Sequence, residues 1–249
     1  MTSETTPVAV SDSTSVAADA PAAPAANSSK PPKTARGRPT DDPDTRWSKT
    51  LSYILRHGAA KESLTLREDG FVRVQDLLKR PKLKGCDLET LERIVRDNAK
   101  QRFTMRPEST GDNGADELWI RANQGHSVKV EALELKPVEK PNQVPTMVHG
   151  SYYRLWPQIE KEGLKVMTRN HVHCAVGLHG EDGVTSGMRA NCDLFIYLDV
   201  PALLADGVEI FTSTNQVVLT AGVDGVVEPK YFARVVRKSG ETLVPKSNE

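Results

Sequence analysis

Large apolar residues are scarce over residues 1–43, where Ala, Ser, Thr, Pro and Val predominate, and they become periodic beyond that point. A segment with so little to bury cannot offset the entropy of ordering it, so 1–43 is expected as a disordered tail. In "RWSKTLSYILRHG", Trp47, Leu51, Ile54 and Leu55 fall at i, i+4, i+7 and i+8, one buried face of a helix, with Gly58 as its expected stop. "LTLREDGFVRV" reads as strand, Asp-Gly turn and strand. Helices follow at "VQDLLKR" and at "DLETLERIVRDN", where Leu88, Leu91, Ile94 and Val95 make the apolar stripe. "RFTMR" and "ELWIRA" alternate with period two and read as the arms of a long hairpin. Helices followed by a hairpin are the order of a winged-helix module, here over 44–135.

After the Pro-rich, polar joint "LELKPVEKPNQVP" the pattern changes. Short strands are expected at "TMVHGSYY", "NHVHCAV", "LFIYLDV", "EIFTS" and "QVVLTA", with helices at "RLWPQIEKEG" and near "PALLADG". The region 136–240 is therefore expected as a β-rich second domain, and 241–249 as a flexible end. The fold class is α+β.

Composition narrows the function only a little. With 38% hydrophobic and 27% charged residues the chain is ordinary for a globular protein. Its 33 basic and 33 acidic residues balance, so any surface for nucleic acid must be a local patch. Cys86, Cys174 and Cys192 are too far apart for a CxxC pair, which fits a reducing compartment and argues against a cysteine zinc site. There is no apolar run of the ~18 residues a membrane span needs and no secretory signal pattern, so a cytoplasmic or nuclear location is expected.

The chemistry concentrates in a few polar runs. "LWIRANQGHSVKV" (118–130) starts as a strand and then presents Arg121, Asn123, Gln124, Gly125, His126 and Ser127 together. "LRHG" and "SGMRAN" likewise combine arginine with small residues, and the histidines lie in "LRHG", "NQGHS", "VHGS", "HVHC" and "LHG". His171 and His173, two apart on a strand, share a face, but no third metal ligand is evident nearby, and no metal is expected. GxSxG, HExxH, P-loop and GxGxxG patterns are missing. Arginine offers a planar fork matched to phosphate oxygens, and glycine admits a phosphate close to the backbone. Such runs suit an anionic substrate whose own oxygen attacks.

"LSYILRHG", "IRANQGHS", "VHGSYYRLWPQIEKEGLKVMTRNHVH", "SGMR" and "STNQVVLTAG", in this order, resemble the NAD-dependent RNA (tRNA) 2'-phosphotransferases over about residues 46–236. The resemblance implies an N-terminal winged-helix lobe for RNA and a C-terminal lobe similar to ADP-ribosyltransferases for NAD. It implies removal of the splice-junction 2'-phosphate of ligated tRNA in two steps. The RNA phosphate first displaces nicotinamide at C1'' of NAD. The ribose O2'' then attacks that phosphate, releasing 2'-OH RNA and ADP-ribose 1'',2''-cyclic phosphate. On the motifs, Arg56, His57, Arg121 and Arg189 form the implied catalytic tetrad. The arginines would grip the phosphate, and His57 would orient it or act as acid or base. His149, Gly150 and Ser151, with His171, His173, Ser186 and Gly187, fall on the NAD side. Asn123, Gln124, His126 and Ser127 would complete the pocket between the lobes. Ser151 stands where the family more often has Thr, and Cys174 where an aliphatic residue is expected.

The partners implied are tRNA bearing an internal 2'-phosphate and NAD as co-substrate, with a monomeric protein and no membrane. One alternative is an ADP-ribosyltransferase acting on nucleic-acid terminal phosphates or on protein. A protein-modifying enzyme would need a glutamate near the nicotinamide ribose, for which only Glu209 and Glu228 are available. The other alternative is a winged-helix RNA-binding protein without activity.

Overall fold

In the computed structural model the described residues are 36–38, 40–109, 116–130, 132–181, 184, 186–244. Most of the tail expected over 1–43, and the tip of the hairpin linker, lie outside them. Arg36 already belongs to the folded part, however. Its guanidinium stacks 3.7 Å over the Tyr53 ring and its N–H donates to Thr50 Oγ1.

The first half holds α1 (Pro43–Tyr53), β1 (Val72–Arg73), α2 (Val74–Leu78), α3 (Leu88–Arg96) and the hairpin β2 (Phe103–Ser109) and β3 (Asp116–Ala122). Asp42 caps α1 by accepting from the Thr45 N–H, and Asp87 caps α3 through Thr90 in the same way. Trp47, Leu51, Ile54 and Leu55 are fully buried, as their spacing predicts, in a core with Leu77, Leu83, Leu91 and Ile120. β1 and β2 flank β3 in an antiparallel sheet.

Three local expectations need correction. Gly58 does not stop the helix: Ile54–Gly58 form a π-helical turn, the chain continues through a 3-10 turn at Ala60–Glu62, and the left-handed residue is Ser63. Before the Asp-Gly turn, Leu64–Arg67 joins no ladder, so only Val72–Arg73 of that pair becomes a strand. On α3, Leu88 is 41% exposed and Thr90 is buried instead, because Leu88 is the first residue of the helix and stands clear of the packed turn.

The second half is built on β4 (Lys136–Pro137), β5 (Val148–Ser151), β6 (Leu164–Lys165), β7 (Val172–Cys174), β8 (Leu194–Leu198), β9 (Ile210–Thr212), β10 (Val218–Thr220), β11 (Val226–Val227), β12 (Phe232–Arg237) and β13 (Thr242–Val244), with helices α4 (Trp156–Glu162) and α5 (Val200–Ala205). Two four-stranded antiparallel sheets, β4-β9-β10-β7 and β13-β12-β8-β5, are joined by the bridge Val148–Ala175, and their inner faces enclose a second core with Val172, Cys174, Leu194, Ile196, Val218 and Val235. The expected flexible end at 241–249 is corrected in part: Val244 pairs with Val235 and Thr242 with Val236, so the chain returns to the sheet edge before Pro245. The whole is an α+β fold with antiparallel sheets. No helix among the described residues is long and apolar enough to cross a membrane.

Candidate functional site: a basic cleft between the two halves

The π-helical turn places Arg56 and His57 at the end of α1, where the wider turn departs from the i→i−4 ladder; such turns recur at functional sites. "QGHS" folds back over this turn. The Ser127 N–H donates to the Arg56 carbonyl at 3.0 Å, and Ser127 Oγ stands 2.9 Å from His57 Nδ1. The Arg56 guanidinium lies directly over Gly125, whose φ of +86° and missing side chain provide the room. Nε and Nη2 of Arg56 are buried without a hydrogen-bond partner among the described residues. The second half meets this loop from the other side, Asn170 donating to the carbonyls of His126 and Val128, both at 3.2 Å.

Between the halves runs a cleft of about 580 Å³. Its wall carries Arg56, Lys100, Arg102, Arg154, Lys165, Arg169 and Arg189, and no carboxylate lines it among the described residues. The consequence is electrostatic. Burial pushes Arg56 down to about 10, with Arg102 and Arg169 adding repulsion. Burial lowers Arg102, and burial and Arg102 lower Lys100. Arg169 is lowered by burial and by Arg189, and His57 by burial and by Arg56. A wall of cations that already disfavours its own charge is a site for an anion with several negative oxygens.

On the floor, His149 donates Nδ1–H to the His173 carbonyl at 2.9 Å, and His173 donates Nδ1–H to the His171 carbonyl at 2.9 Å. This chain fixes the ring of His149, and burial lowers its pKa, against the hydrogen bond to the His173 carbonyl. His173 is pushed down to about 3 by burial, then by Arg169. Gly150 packs against the "SGMR" loop: a Cβ there would stand 2.9 Å from both Cys192 Sγ and Met188 Cβ. His149, Gly150, Ser151, His171, His173, Ser186, Gly187 and Gln124 all line the cleft. A groove of about 1000 Å³ continues from it along α1, sharing Arg56, Lys100, Arg102, Arg169 and Arg189 and including His57.

Three residues expected in the site stand elsewhere. Arg121 is 1% exposed and lines neither the cleft nor the groove. Its Nη2 pairs with Glu134 at 2.6 Å, its Nη1 donates to the Asp69 carbonyl, and its guanidinium lies 4.7 Å from the Phe71 ring centroid. The pleat is the reason: Arg121 shares the face of Trp119, opposite the core-facing Ile120 and Ala122. Asn123 is buried and braces the backbone, donating to the Gln101 carbonyl at 2.8 Å. His126, pushed down to about 4 by burial, then by Arg56, lines a neighbouring cavity of about 340 Å³ with Phe211 and Leu219, which shares His171 and His173 with the cleft.

The cleft is lined instead by Arg102, Lys100 and Arg169, which the motif reading missed. No group of three or more His, Cys, Asp or Glu suited to a metal occurs among the described residues.

The model of the RNA 2'-phosphotransferase, Tpt1 / KptA family matches residues 42–222. A Schizosaccharomyces pombe protein is 45% identical over 227 residues, covering 89% of this chain and 60% of that protein, so the chain spans about three fifths of its length. The Bos taurus tRNA 2'-phosphotransferase 1 is 47% identical over 198 residues, 79% of this chain and 76% of the relative. The Saccharomyces cerevisiae tRNA 2'-phosphotransferase is 37% identical over 211 residues, 82% of this chain and 90% of the relative.

Proposed function

Because the chain belongs to the RNA 2'-phosphotransferase, Tpt1 / KptA family, we propose that it transfers the 2'-phosphate of a spliced tRNA to NAD, leaving a 2'-hydroxyl. The observation that carries this reading is the cleft wall of seven basic side chains with no carboxylate among the described residues, and with Arg56, Lys100 and Arg102 pushed by burial towards losing charge. A dianionic phosphate reverses that penalty on arrival.

NAD supplies, when bound, an electrophilic ribose carbon and the neighbouring ribose hydroxyl. The fit is good on the floor of the cleft. His149, with Nδ1 committed to the His173 carbonyl, has Nε2 free to face a ribose, and Gly150 leaves its backbone open to an amide. The phosphate grip falls to Arg56, Arg102 and Arg189, with Arg102 in the role the motifs assigned to Arg121. Each guanidinium neutralises phosphate oxygens and stabilises charge that develops on them. His57, held through Nδ1 by Ser127, orients the phosphate or moves a proton with its other nitrogen.

The two halves are read as a winged-helix lobe for RNA and an ADP-ribosyltransferase-like lobe for NAD. Three helices before the β2–β3 hairpin, with β1 as the third strand, support the first. The two antiparallel sheets flanking the cleft support the second. Glu209 and Glu228 line neither the cleft nor the groove, which disfavours a protein-directed ADP-ribosyltransferase. The test is incubation of the full chain with NAD and an RNA oligonucleotide carrying one internal 2'-phosphate. Nicotinamide release and a 2'-hydroxyl product are expected; a folded protein that releases no nicotinamide sinks the reading.

A further inference from the structure

Two hydrogen bonds tie the turn that carries Lys100 to the second half of the chain. Asn215, a buried side chain just before β10, donates Nδ2–H to the Lys100 carbonyl at 2.9 Å. Nζ of Lys100 reaches back across the cleft and donates to the Met188 carbonyl at 3.3 Å. Met188 immediately precedes Arg189. From the first half, Asn123 holds the Gln101 carbonyl, and Asn98 Oδ1 accepts from the Arg102 N–H at 3.2 Å. Lys100 thus stands on a frame braced from both halves, two residues before Arg102, and its tip ends on the loop of Arg189.

Met188 packs on Val148 and Ala175, and the Arg189 guanidinium lies 6.0 Å from the Tyr152 ring centroid, but among the described residues the loop makes few other hydrogen bonds. Tyr152 donates its hydroxyl to Asn191 Oδ1 at 3.1 Å, and the Cys192 N–H donates to the Arg189 carbonyl at 3.3 Å. The Arg189 side chain itself is exposed. A guanidinium on an exposed loop is useful to a transition state only where its backbone is fixed. Lys100 supplies that fixing with a cation, although burial and Arg102 oppose its charge. A charged donor binds a carbonyl more strongly than a neutral one, and the positive end it leaves in the cleft is repaid when a phosphate enters.

We infer that Lys100 is a positioning residue for Arg189: its ammonium clamps the Met188 carbonyl across the cleft and sets the distance between the Arg189 guanidinium and the Arg56–Arg102 pair. The catalytic consequence rests on the phosphate-transfer reading above; the clamp itself does not. In the two-step scheme, an Arg189 left loose fails most where the phosphate is already joined to the ribose. There O2'' gives up its proton as the O2''–P bond forms, the P–O2' bond to RNA breaks, and the departing O2' takes up a proton, so none is gained or lost overall.

The experiment compares the full-length chain with Lys100→Met and Lys100→Arg in two readouts. In hydrogen exchange without ligand, amides of 187–192 exchange faster in Lys100→Met than in the wild type, those of β8 and β12 do not change, and Lys100→Arg restores protection. In turnover of 2'-phosphorylated RNA with NAD, Lys100→Met accumulates 2'-phospho-ADP-ribosylated RNA. Its second step slows roughly tenfold, the scale of one lost hydrogen bond to a charged group, at unchanged KM for NAD, and Lys100→Arg recovers most of the rate. Wild-type exchange at 187–192 in Lys100→Met overturns the inference, and so does a raised KM with unchanged turnover at saturation. If the wild type itself releases no nicotinamide, the functional reading fails, and the exchange comparison alone still decides whether Lys100 holds the loop.

Discussion

The guanidinium of Arg56 rests on Gly125: a Cβ built on that glycine would stand 3.4 Å from Nη1 and 3.5 Å from Cζ and Cδ. The "QGHS" run therefore acts as the seat of the "RH" pair from α1, with Gly125 beneath Arg56 and Ser127 beside His57. Gly125→Ala should disturb Arg56 twice, by crowding it and by straining a backbone at φ +86°. The strain costs about 1–2 kcal/mol, a fall of a few degrees in Tm for a chain of this size. Turnover should fall by a larger factor than stability implies. A variant with full activity at a lowered Tm would show that Arg56 does not depend on this seat.

Arg102 and Arg121 make opposite predictions. Arg102→Ala should abolish most turnover while leaving Tm nearly unchanged, because Arg102 lines the cleft and burial already opposes its charge. Arg121→Met should do the reverse. It removes a fully buried guanidinium from Glu134, Asp69 and Phe71, at a cost of about 1–3 kcal/mol, and it spares the rate of the protein that remains folded. Loss of turnover in Arg121→Met at wild-type Tm would return Arg121 to the phosphate.

The same pair of arginines shows what could be read from the chain. Elements with a strong period were legible: the Trp47–Leu55 stripe, the β2–β3 hairpin and strands β5, β7, β8, β9 and β10 appear where alternation and spacing put them, whereas β4, β6, β11 and the six-residue β12 were not expected. The motif histidines and glycines of the floor come together in one cleft, since His149 and Gly150 lie on β5 while His171 precedes and His173 lies within β7, joined to β5 by the bridge Val148–Ala175. Arg121 was misplaced because adjacency to "NQGHS" says nothing about which side of the pleat a residue takes. Arg102 was invisible because its approach to Arg56 depends on the Asn98–Gln101 turn. Hydrogen bonds from Asn123 and Asn215, far away in sequence, hold that turn. The short β13 escaped because three polar-flanked residues carry no period, and only the edge of β12 gives them a partner.

Stability should fall on acidification through two buried histidines. His126 is pushed down to about 4 and His173 to about 3, both by burial first, from an ordinary value of 6.5. The unfolded chain therefore takes up protons below pH 6.5 that the folded chain refuses. Stability is fully present above that pH and is lost as pH falls towards 4. Each histidine contributes about 1.4 kcal/mol per pH unit inside the window. Urea melts at pH 7 and pH 5 measure the slope. His126→Gln should flatten it by about one proton, and an unchanged slope in that variant would mean that His126 titrates normally.

A phosphate should relieve the repulsion among Arg56, Lys100, Arg102, Arg169 and Arg189 and so stabilise the folded state by mass action. A nucleoside 2'-phosphate at a hundred times its Kd is expected to add about 2.7 kcal/mol, read as a rise in Tm for the full chain. The matching nucleoside with a free 2'-hydroxyl should add little, because it lacks the charge that the cleft wall is missing. Raising ionic strength should shrink the effect, since the groove along α1 is open to solvent and its charges are screened over about 8–10 Å. Arg102→Ala and Arg189→Ala should each reduce the shift, whereas Arg121→Met should retain it on its own lowered baseline. Equal shifts from the phosphorylated and unphosphorylated nucleosides would mean that the cleft recognises the base or sugar, and that its ring of cations serves something other than a 2'-phosphate.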